Sequence, residues 1–314
     1  MAPAGPWAAQ TKQERREAEA LLNIADAAMA GRASSDFPLR WSNDFFKARS
    51  GTFVPFTITL DRSSVRAATG LMYVRAAKRA VQPPQRSDAR YPFDLIFPVE
   101  LSGPPGQPLR ISRGFAVAPG EYDIYVALRE RAEDPVEHQP RLKAAVLKQP
   151  LTVPDFWTGE LTTSTVMLAD RIDDVREPVV GDDVMDRPYV IGSHEVHRVV
   201  DPTFRQSREL IVVFLIYNPT VAPDRSFDIE VAYNLFRKEG GGAAERYVTR
   251  TPAQRFKPAS MDTGFDPLSG PILAGQGILL SSFQEGEYRL GITVTDLMSR
   301  KSLSRDVTFR VAGS

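Results

Sequence analysis

The chain of 314 residues contains no cysteine and only three histidines. The lack of cysteine excludes disulfides, thiolate metal sites and cysteine nucleophiles. Charge of either sign is not in excess, since 39 basic residues balance 39 acidic ones. A balanced charge provides no field that would draw the protein onto nucleic acid or an anionic membrane, so neither is expected as a partner. No apolar run approaches the roughly 18 residues that a bilayer span requires, so we expect no membrane span.

The sequence also lacks the motifs that are typical of common enzyme classes. Gly-x-Ser-x-Gly, Gly-rich phosphate loops and His-Glu-x-x-His do not occur. Asp262-Thr263-Gly264 spells the triplet of aspartic proteases, but it occurs once, and that mechanism needs two carboxylates that share one proton. We interpret this triplet as a turn and predict no catalytic residue and no cofactor.

One helix is predicted near the start of the chain, within an N-terminal tail and helix at 1–34. Thr11 and Glu14 have the spacing of a capping box, and Gly31 provides a stop. Apolar residues recur between them at helical spacing, namely Ala18, Leu21, Leu22, Ala25 and Met29. We interpret this stripe as a face packed on the first domain, with a partner-binding or membrane-surface face as the alternative. The opening residues show neither the basic nor the apolar region of a secretory signal, so we expect none in this chain.

After Gly31 the apolar period changes from 3.6 to 2, which is typical of strands with one buried face. The clearest alternating runs are 54–60, 93–101, 122–128, 227–235, 288–294 and 307–311. The run 210–217 is apolar at every position, as in a central strand covered on both faces. Weaker strands are predicted at 142–147, 151–153 and 161–168, and Gly240-Gly241-Gly242 predicts a hairpin to a strand at 247–249. The fold class is therefore predicted to be all-β.

A short repeat connects the two halves. Pro119-Gly120-Glu121-Tyr122-Asp123-Ile124 aligns with Glu285-Gly286-Glu287-Tyr288-Arg289-Leu290. A glycine followed two residues later by a tyrosine that opens a strand resembles the tyrosine corner of Greek-key sandwiches, in which the phenol bonds to upstream backbone. We therefore predict that Gly120, Tyr122, Gly286 and Tyr288 form two equivalent structural corners.

The corners favour two tandem immunoglobulin/fibronectin III-like β-sandwiches over the alternative, strand-rich barrels. At about 100–200 residues per domain the length also allows two domains. We place the first sandwich at 35–169, an acidic linker at 170–187 and the second sandwich at 188–314. The linker is predicted from its charge and from Pro178.

Several strings of residues resemble those of a known group of proteins. They are Asp36-Phe37-Pro38-Leu39-Arg40-Trp41, Phe53-Val54-Pro55-Phe56, Ala118-Pro119-Gly120-Glu121-Tyr122, Leu151-Thr152-Val153-Pro154-Asp155-Phe156, Leu168-Ala169-Asp170-Arg171-Ile172 and Phe283-Gln284-Glu285-Gly286-Glu287-Tyr288. The first four, over about residues 20–170, resemble the region after the integrin-type domain in acidobacterial VWFA-related proteins, and the last two resemble the C-terminal β domains that accompany it, including those of GWxTD proteins. The resemblance implies a periplasmic or secreted bacterial setting. Neither Asp-x-Ser-x-Ser nor Gly-Trp-x-Thr-Asp occurs here, so it implies no ligand-binding or catalytic residue.

Two polar groupings are candidate metal sites. His194, Glu195 and His197 have ligand chemistry for zinc, but residues three apart on a strand face opposite sides, so we expect exposed histidines at a sheet edge. The seven acidic residues between Asp170 and Asp186 offer oxygen ligands for calcium, but their spacing is not that of a calcium loop. We predict a solvated acidic segment and no metal.

Trp157 is the best candidate for contact with a ligand, because it lies next to a predicted domain boundary, whereas Trp41 falls near the first strand and is expected in a core. Trp7 is a weaker candidate. The expected function is a non-catalytic, extracytoplasmic module that binds or spaces protein partners. The alternatives are a carbohydrate-binding or carbohydrate-active accessory module, and an enzyme whose carboxylates form no recognisable motif.

Overall fold

The computed structural model describes residues 12–32, 34–79, 91–131, 141–177, 179–239 and 244–313. One long helix, α1 (Lys12–Met29), precedes the strands, and a single-turn helix, α2 (Asp183–Asp186), lies among them. The strands of the first half are β1 (Arg40–Asn43), β2 (Phe46–Lys47), β3 (Thr52–Asp61), β4 (Thr69–Lys78), β5 (Phe93–Glu100), β6 (Pro108–Val117), β7 (Gly120–Glu130) and β8 (Ala144–Val153). The strands of the second half are β9 (Thr162–Thr163), β10 (Met167–Asp174), β11 (Val190–Ile191), β12 (His194–Arg198), β13 (Thr203–Arg205), β14 (Glu209–Tyr217), β15 (Ile229–Lys238), β16 (Glu245–Arg250), β17 (Gln254–Phe256), β18 (Ile272–Leu279), β19 (Gly286–Asp296) and β20 (Lys301–Ala312). The predicted all-β class with an N-terminal helix is confirmed.

The chain divides into two compact units. The first unit contains the described residues up to Asn43 together with Phe56–Pro154, and the second contains Asp44–Pro55 and the chain from Asp155 onward. The segment 170–187, predicted as the linker, does not separate the units, because its first residues lie in β10 and pair with β12 and β14. A charged segment forms a strand here because its neighbour β12 is also charged and half-exposed.

The first unit is a sandwich of two sheets. In one sheet β3 pairs with β1 and β6, and the other has the order β5-β4-β7-β8 with antiparallel pairs throughout. Alternation places Phe56 and Ile58 of β3 in the interior, both without solvent exposure. Phe93 of β5 stacks on Phe115 of β6 with ring centroids 5.2 Å apart, so the two sheets meet through aromatic side chains. Each such large apolar side chain stabilises the fold by about 1.5–3 kcal/mol.

Helix α1 packs on the first unit, as its apolar stripe predicts. Leu21 and Ala25 are fully buried and form one cluster with Tyr73 of β4 and Ala127 of β7. Asp26 accepts a hydrogen bond from the guanidinium of the buried Arg75 at 2.6 Å. The centre of the stripe is therefore covered by the sandwich, which favours the packing interpretation over a free partner-binding face, whereas Met29 at its end is exposed. Thr11 of the predicted capping box lies outside the described residues.

The second unit is a sandwich of two larger sheets. One has the order β11-β12-β10-β14-β18, with β9 on β14, and the other has the order β13-β20-β19-β15-β16, with β17 on β15. All of these pairs are antiparallel except that of β13 with β20. The hairpin expected around 240–242 is present as the β15–β16 pair, although residues 240–243 of its turn lie outside the described residues.

Strand β14 is buried on both faces, which confirms the prediction for 210–217. One face contributes Val212 and Phe214 to the core between the sheets. The other contributes Val213 and Leu215 to a second cluster, which also contains Phe46 from the segment Asp44–Pro55. This second cluster holds in place the segment that carries part of the candidate site.

Candidate functional site

Tyr122 and Tyr288 lie at equivalent positions of the two units, near the starts of β7 and β19. Both rings are buried, and burial raises the pKa of each phenol. The hydroxyl of Tyr122 donates to the carbonyl of Ala118 at 2.9 Å, and that of Tyr288 donates to the carbonyl of Gln284 at 2.7 Å. This is the geometry of a tyrosine corner. Residues used in this way stabilise a fold and present no surface to a ligand.

Gly120 and Gly286 precede the corner tyrosines with φ of 142° and 147°. Residues with a Cβ rarely adopt this backbone conformation. A Cβ on Gly286 would also lie 3.2 Å from Nε of Arg237. The glycines of the repeat are therefore needed for the turn into the strand.

Trp157 is the exposed aromatic residue at the start of the second unit, with 52% of its surface accessible. Its indole N–H donates to the carbonyl of Gly51 at 3.2 Å, which fixes the orientation of the ring. The ammonium of Lys47 lies 4.2 Å from the ring centroid, a cation–π contact. We refer to Lys47, Gly51, Trp157 and Asn218 as the Trp157 surface.

Asn218 organises the polar atoms of the Trp157 surface. Its side-chain oxygen accepts a hydrogen bond from Nζ of Lys47 at 2.8 Å. Its side-chain nitrogen donates to the carbonyls of Phe156 at 3.1 Å and Glu160 at 2.9 Å. Partial burial lowers the pKa of Lys47. The polar groups beside the ring are thus engaged within the protein, and the ring itself remains open to a ligand.

The ring of Trp157 lies next to the positive charge of Lys47. Lys47 forms no ion pair with a carboxylate of any described residue. Asp155 offsets part of this charge, but its carboxylate already accepts the backbone N–H of Trp157 at 2.8 Å. The Trp157 surface can therefore hold an apolar group against the indole and a negative group near Lys47.

The segment that carries Lys47 and Gly51 begins at a buried ion pair. The carboxylate of Asp44 is 1% exposed, lies 2.6 Å from Nε of Arg198 and accepts a hydrogen bond from the hydroxyl of Tyr189 at 3.1 Å. Burial raises the pKa of Asp44 from 3.8 to about 6, against the opposing effects of Arg198 and Tyr189. A carboxylate so enclosed cannot reach a substrate, so its role is to anchor the segment. The sequence contains no local signal of this pair, since its members lie far apart in the chain.

The histidines and acidic residues considered as metal ligands bond to one another and to arginines. Arg171 lies 3.1 Å from both Asp173 and His197. His194 lies 3.1 Å from Asp174, and His197 lies 2.8 Å from Asp173. His194 and His197 are both on strand β12, where residues three apart face opposite sides. No group of three or more potential His, Asp or Glu ligands occurs within the described residues. His138 and Trp7 lie outside them.

Trp41 is half-buried and stacks on Phe56 with ring centroids 4.5 Å apart, which places it in a packing role.

A depression of about 770 Å³, lined by both polar and apolar residues, lies in the first unit between the ends of β1 and β3 and the turn before β6. Its walls include Arg40, Thr59, Asp61, Ser64 and Gln107. The hydroxyl of Thr59 is buried, and it has no hydrogen-bond partner among the described residues. The side chains of Arg40 and Gln107 form no hydrogen bond with any residue that the structure describes. This volume is within the range of small-molecule sites, about 300–1,000 Å³.

Comparisons with known proteins leave the family of this chain undetermined. No protein-family profile matches it, and no curated protein matches it significantly. Among solved structures it is similar to red sea bream transglutaminase, with 15% identity and a TM-score of 0.24 over 97% of this chain and 34% of that one. It is also similar to Salmonella alpha-2-macroglobulin, with 11% identity and a TM-score of 0.22 over 89% of this chain and 17% of that one. The chain therefore spans about a third of the first protein and under a fifth of the second, and such TM-scores support no conclusion about activity or ligand. In the described residues, no helix has the length and apolar character required to cross a bilayer.

Proposed function

We propose that this protein is a non-catalytic binding module that holds a protein partner at the Trp157 surface. The observation that carries the proposal is Trp157 itself, half-exposed yet fixed by the carbonyl of Gly51 and by Lys47. A rigid exposed tryptophan loses little conformational freedom on binding, and tryptophan is among the residues that dominate the binding energy of protein interfaces.

Several features of this surface favour a protein over a sugar as its ligand. A sugar site needs free donors and acceptors around the aromatic ring to bond the hydroxyl groups. Here the side chain of Asn218 is already bonded on both sides, and Asp155 accepts the backbone N–H of Trp157. The charge of Lys47, which forms no ion pair with a described carboxylate, matches a partner segment that presents an apolar side chain next to an acidic one.

The proposal also includes the fold type of the two units and the location of the protein. We assign both units to the immunoglobulin/fibronectin III type, supported by the corner geometry of Tyr122 and Tyr288 and by the shared order of their strands. In each unit the strand that follows the corner lies between two antiparallel neighbours, β4 and β8 for β7, and β15 and β20 for β19. A periplasmic or secreted location rests on the resemblance of the sequence to VWFA-related and GWxTD proteins.

Affinity capture tests the partner. The protein, immobilised through its C-terminus, is exposed separately to envelope and cytosolic extracts of the source organism, and bound proteins are quantified by mass spectrometry. The variants are Trp157→Ala, which removes the ring, and Tyr247→Ala as the control, because Tyr247 is equally exposed at 53% but lies on β16. We expect a protein from the envelope extract to bind the unaltered protein and Tyr247→Ala, and to be depleted at least about tenfold by Trp157→Ala, the loss expected of an interface hot spot.

Two results would contradict the proposal. Equal capture by the unaltered protein and by folded Trp157→Ala would show that the ring contributes nothing, and capture only from the cytosolic extract would reject the proposed location. Binding to a glycan array that disappears in Trp157→Ala would make the surface a carbohydrate site instead.

A carbohydrate ligand is the second candidate function, and the polar side chains in the depression of the first unit favour it. The free side chains of Arg40 and Gln107, the hydroxyl of Thr59 and the carboxylate of Asp61 provide both donors and acceptors for hydroxyl groups. Glycan binding that persists in Trp157→Ala and is lost in Arg40→Ala plus Gln107→Ala would support this candidate. An array without any signal would reject it.

A further inference from the structure

The strands that end the sheets differ in how their open edges are protected. An unpaired edge offers N–H and C=O groups to another chain, and proteins blunt such edges with charges, prolines or bulges. Among the described strands of six or more residues, those that end a sheet are β5, β6, β8, β16 and β18. All but β18 contain a charged residue, and β5, β6 and β8 also contain proline. Strand β18 contains neither, and it pairs with β14 over its whole length without a register shift.

No strand of the described residues pairs with the side of β18 that faces away from β14. Gly275 and Gly277 are exposed, and Leu279 is 71% exposed, although it is apolar and belongs to the strand. The carbonyl of Gly275 accepts a hydrogen bond of 2.6 Å from the side chain of Gln254, a residue of β17 in the other sheet. This bond marks Gly275 as a residue whose backbone polar groups point away from β14. Since these groups alternate in direction along a strand, those of Leu273, Gly277 and Leu279 point outward as well.

The sequence of β18 is nearly symmetric about Gln276. Leu273-Ala274-Gly275-Gln276-Gly277-Ile278-Leu279 reads almost the same in both directions, with Ala274 and Ile278 as the only unequal pair. In an interface with two-fold symmetry, residue i of one copy meets residue j of the second copy, and residue j meets residue i. The near-symmetry of β18 therefore places like residues opposite one another when two copies pair antiparallel about Gln276. We infer that β18 pairs antiparallel with β18 of a second copy of this chain, with the two-fold axis at Gln276.

This register matches the outward-pointing backbone groups of the two strands and places apolar side chains opposite one another. It places Leu279 opposite Leu273 of the second copy and Gly275 opposite Gly277 of the second copy, so that outward-pointing groups meet outward-pointing groups. A shift of one residue would pair outward groups with groups already bonded to β14. A two-fold axis at Gly275 would keep the outward groups matched but would set Leu279 opposite Pro271, which has no N–H to donate.

The pairing also accounts for two features of β18. The exposed Leu279 is covered by the half-buried Leu273 of the second copy. The exposed glycines add no side chain of their own to the paired strands. Strand β18 itself contains no charged residue, so no like charges of the two strands lie opposite one another. The carboxylate of Glu209, from β14, lies over Gly277. The bond from Gln254 occupies one lone pair of the Gly275 carbonyl and leaves the second for a backbone N–H.

A single introduced cysteine tests the register, because the chain has no other. In the inferred register Gln276 faces its counterpart at a non-hydrogen-bonded position, where Cα atoms lie about 4.5 Å apart. This is within the range of about 4.4–6.8 Å that disulfides require. We expect Gln276→Cys to form a covalent dimer under mild oxidation much faster than Leu268→Cys, a control that is 67% exposed and lies outside the strands.

Sedimentation measured over a range of protein concentrations tests the interface without a cross-link. Leu279→Lys removes two Leu–Leu pairs by symmetry and adds charge to the edge, so the dissociation constant of the dimer should rise by about tenfold or more. Leu268→Lys should leave it unchanged. A protein that stays monomeric throughout, or a dimer that is insensitive to Leu279→Lys, overturns the inference. Equal cross-linking of Gln276→Cys and Leu268→Cys overturns it as well.

Discussion

The buried carboxylate of Asp44 should make the stability of the second unit depend on pH in an unusual direction. An acid in an ion pair normally has a lowered pKa and stabilises the fold when ionised. For Asp44, burial outweighs the attraction of Arg198 and raises the pKa from 3.8 to about 6. The folded protein therefore holds this proton more tightly than the unfolded chain does. Its contribution to stability is complete below pH 3.8 and is lost as the pH rises through about 6.

The magnitude follows from the difference between the two pKa values. One pKa unit corresponds to about 1.4 kcal/mol, so a rise from 3.8 to about 6 corresponds to about 3 kcal/mol of unfolding free energy. Desolvation can outweigh the Coulomb attraction of a buried ion pair. Here the carboxylate of Asp44 is 1% exposed and loses nearly all of its water, whereas Arg198 is 15% exposed and keeps part of its solvation.

Asp44→Asn isolates this contribution, since an amide can keep the contacts to Tyr189 and Arg198 but does not titrate. Native-state hydrogen exchange at the amides of β14 in urea gives the unfolding free energy of the second unit for both proteins. Between about pH 3.5 and 7.5, the stability of the unaltered protein relative to Asp44→Asn should fall by about 3 kcal/mol. A constant difference would show that Arg198 offsets the burial in full, and a difference of the opposite sign would show that the ion pair dominates.

The remaining predictions concern three other features. Tyr122→Phe and Tyr288→Phe should each lower the unfolding free energy by about 0.5–1.5 kcal/mol in urea titrations, because each removes one hydrogen bond to the backbone. The two losses should add, since the residues lie in separate units. An unfolding free energy of Tyr122→Phe equal to that of the unaltered protein would contradict a role for the hydroxyl. Arg75→Met should accelerate amide exchange in α1 by breaking the bond to Asp26, while exchange in β14 of the other unit stays unchanged; equal exchange of α1 in both proteins would show that apolar packing alone holds the helix. Millimolar calcium should leave the thermal midpoint unchanged, since a ligand at about 100 times its dissociation constant would add about 2.7 kcal/mol; a rise in the midpoint that Asp173→Asn plus Asp174→Asn abolishes would reveal a calcium site.

The strands that could be predicted from the sequence are those with an unbroken alternation of large apolar residues, such as β7 and β19. Strands β4, β6 and β18 escaped prediction for identifiable reasons. Alanines and Arg75 interrupt the pattern of β4, two arginines interrupt that of β6, and β18 has glycines where a strand usually carries side chains. In each case, pairing with a neighbouring strand compensates for a weak local preference, and such pairing is not visible in a short window of sequence.

The candidate site shows the same limit. Trp157 was identified from the sequence because a large aromatic residue near a boundary is often exposed. Lys47, whose ammonium lies over that ring, and Asn218, which accepts a hydrogen bond from Lys47, lie 171 residues apart in the chain. They meet because Asp44–Pro55 belongs to the second unit, an insertion that no composition or periodicity indicates.

The acidic segment shows why charge is a poor indicator of a linker. Asp173 and Asp174 lie in β10 and bond with histidines of the neighbouring strand β12, and Arg171 of the same strand lies opposite His197. Complementary residues on paired strands allow a polar sequence to form a regular sheet, provided that its faces are not needed for a core. The buried part of β10 ends at Ala169, and a register shift between Ala169 and Arg171 marks the change from apolar to charged pairing. A boundary between buried and exposed pairing within one strand therefore looks, in sequence alone, like a boundary between domains.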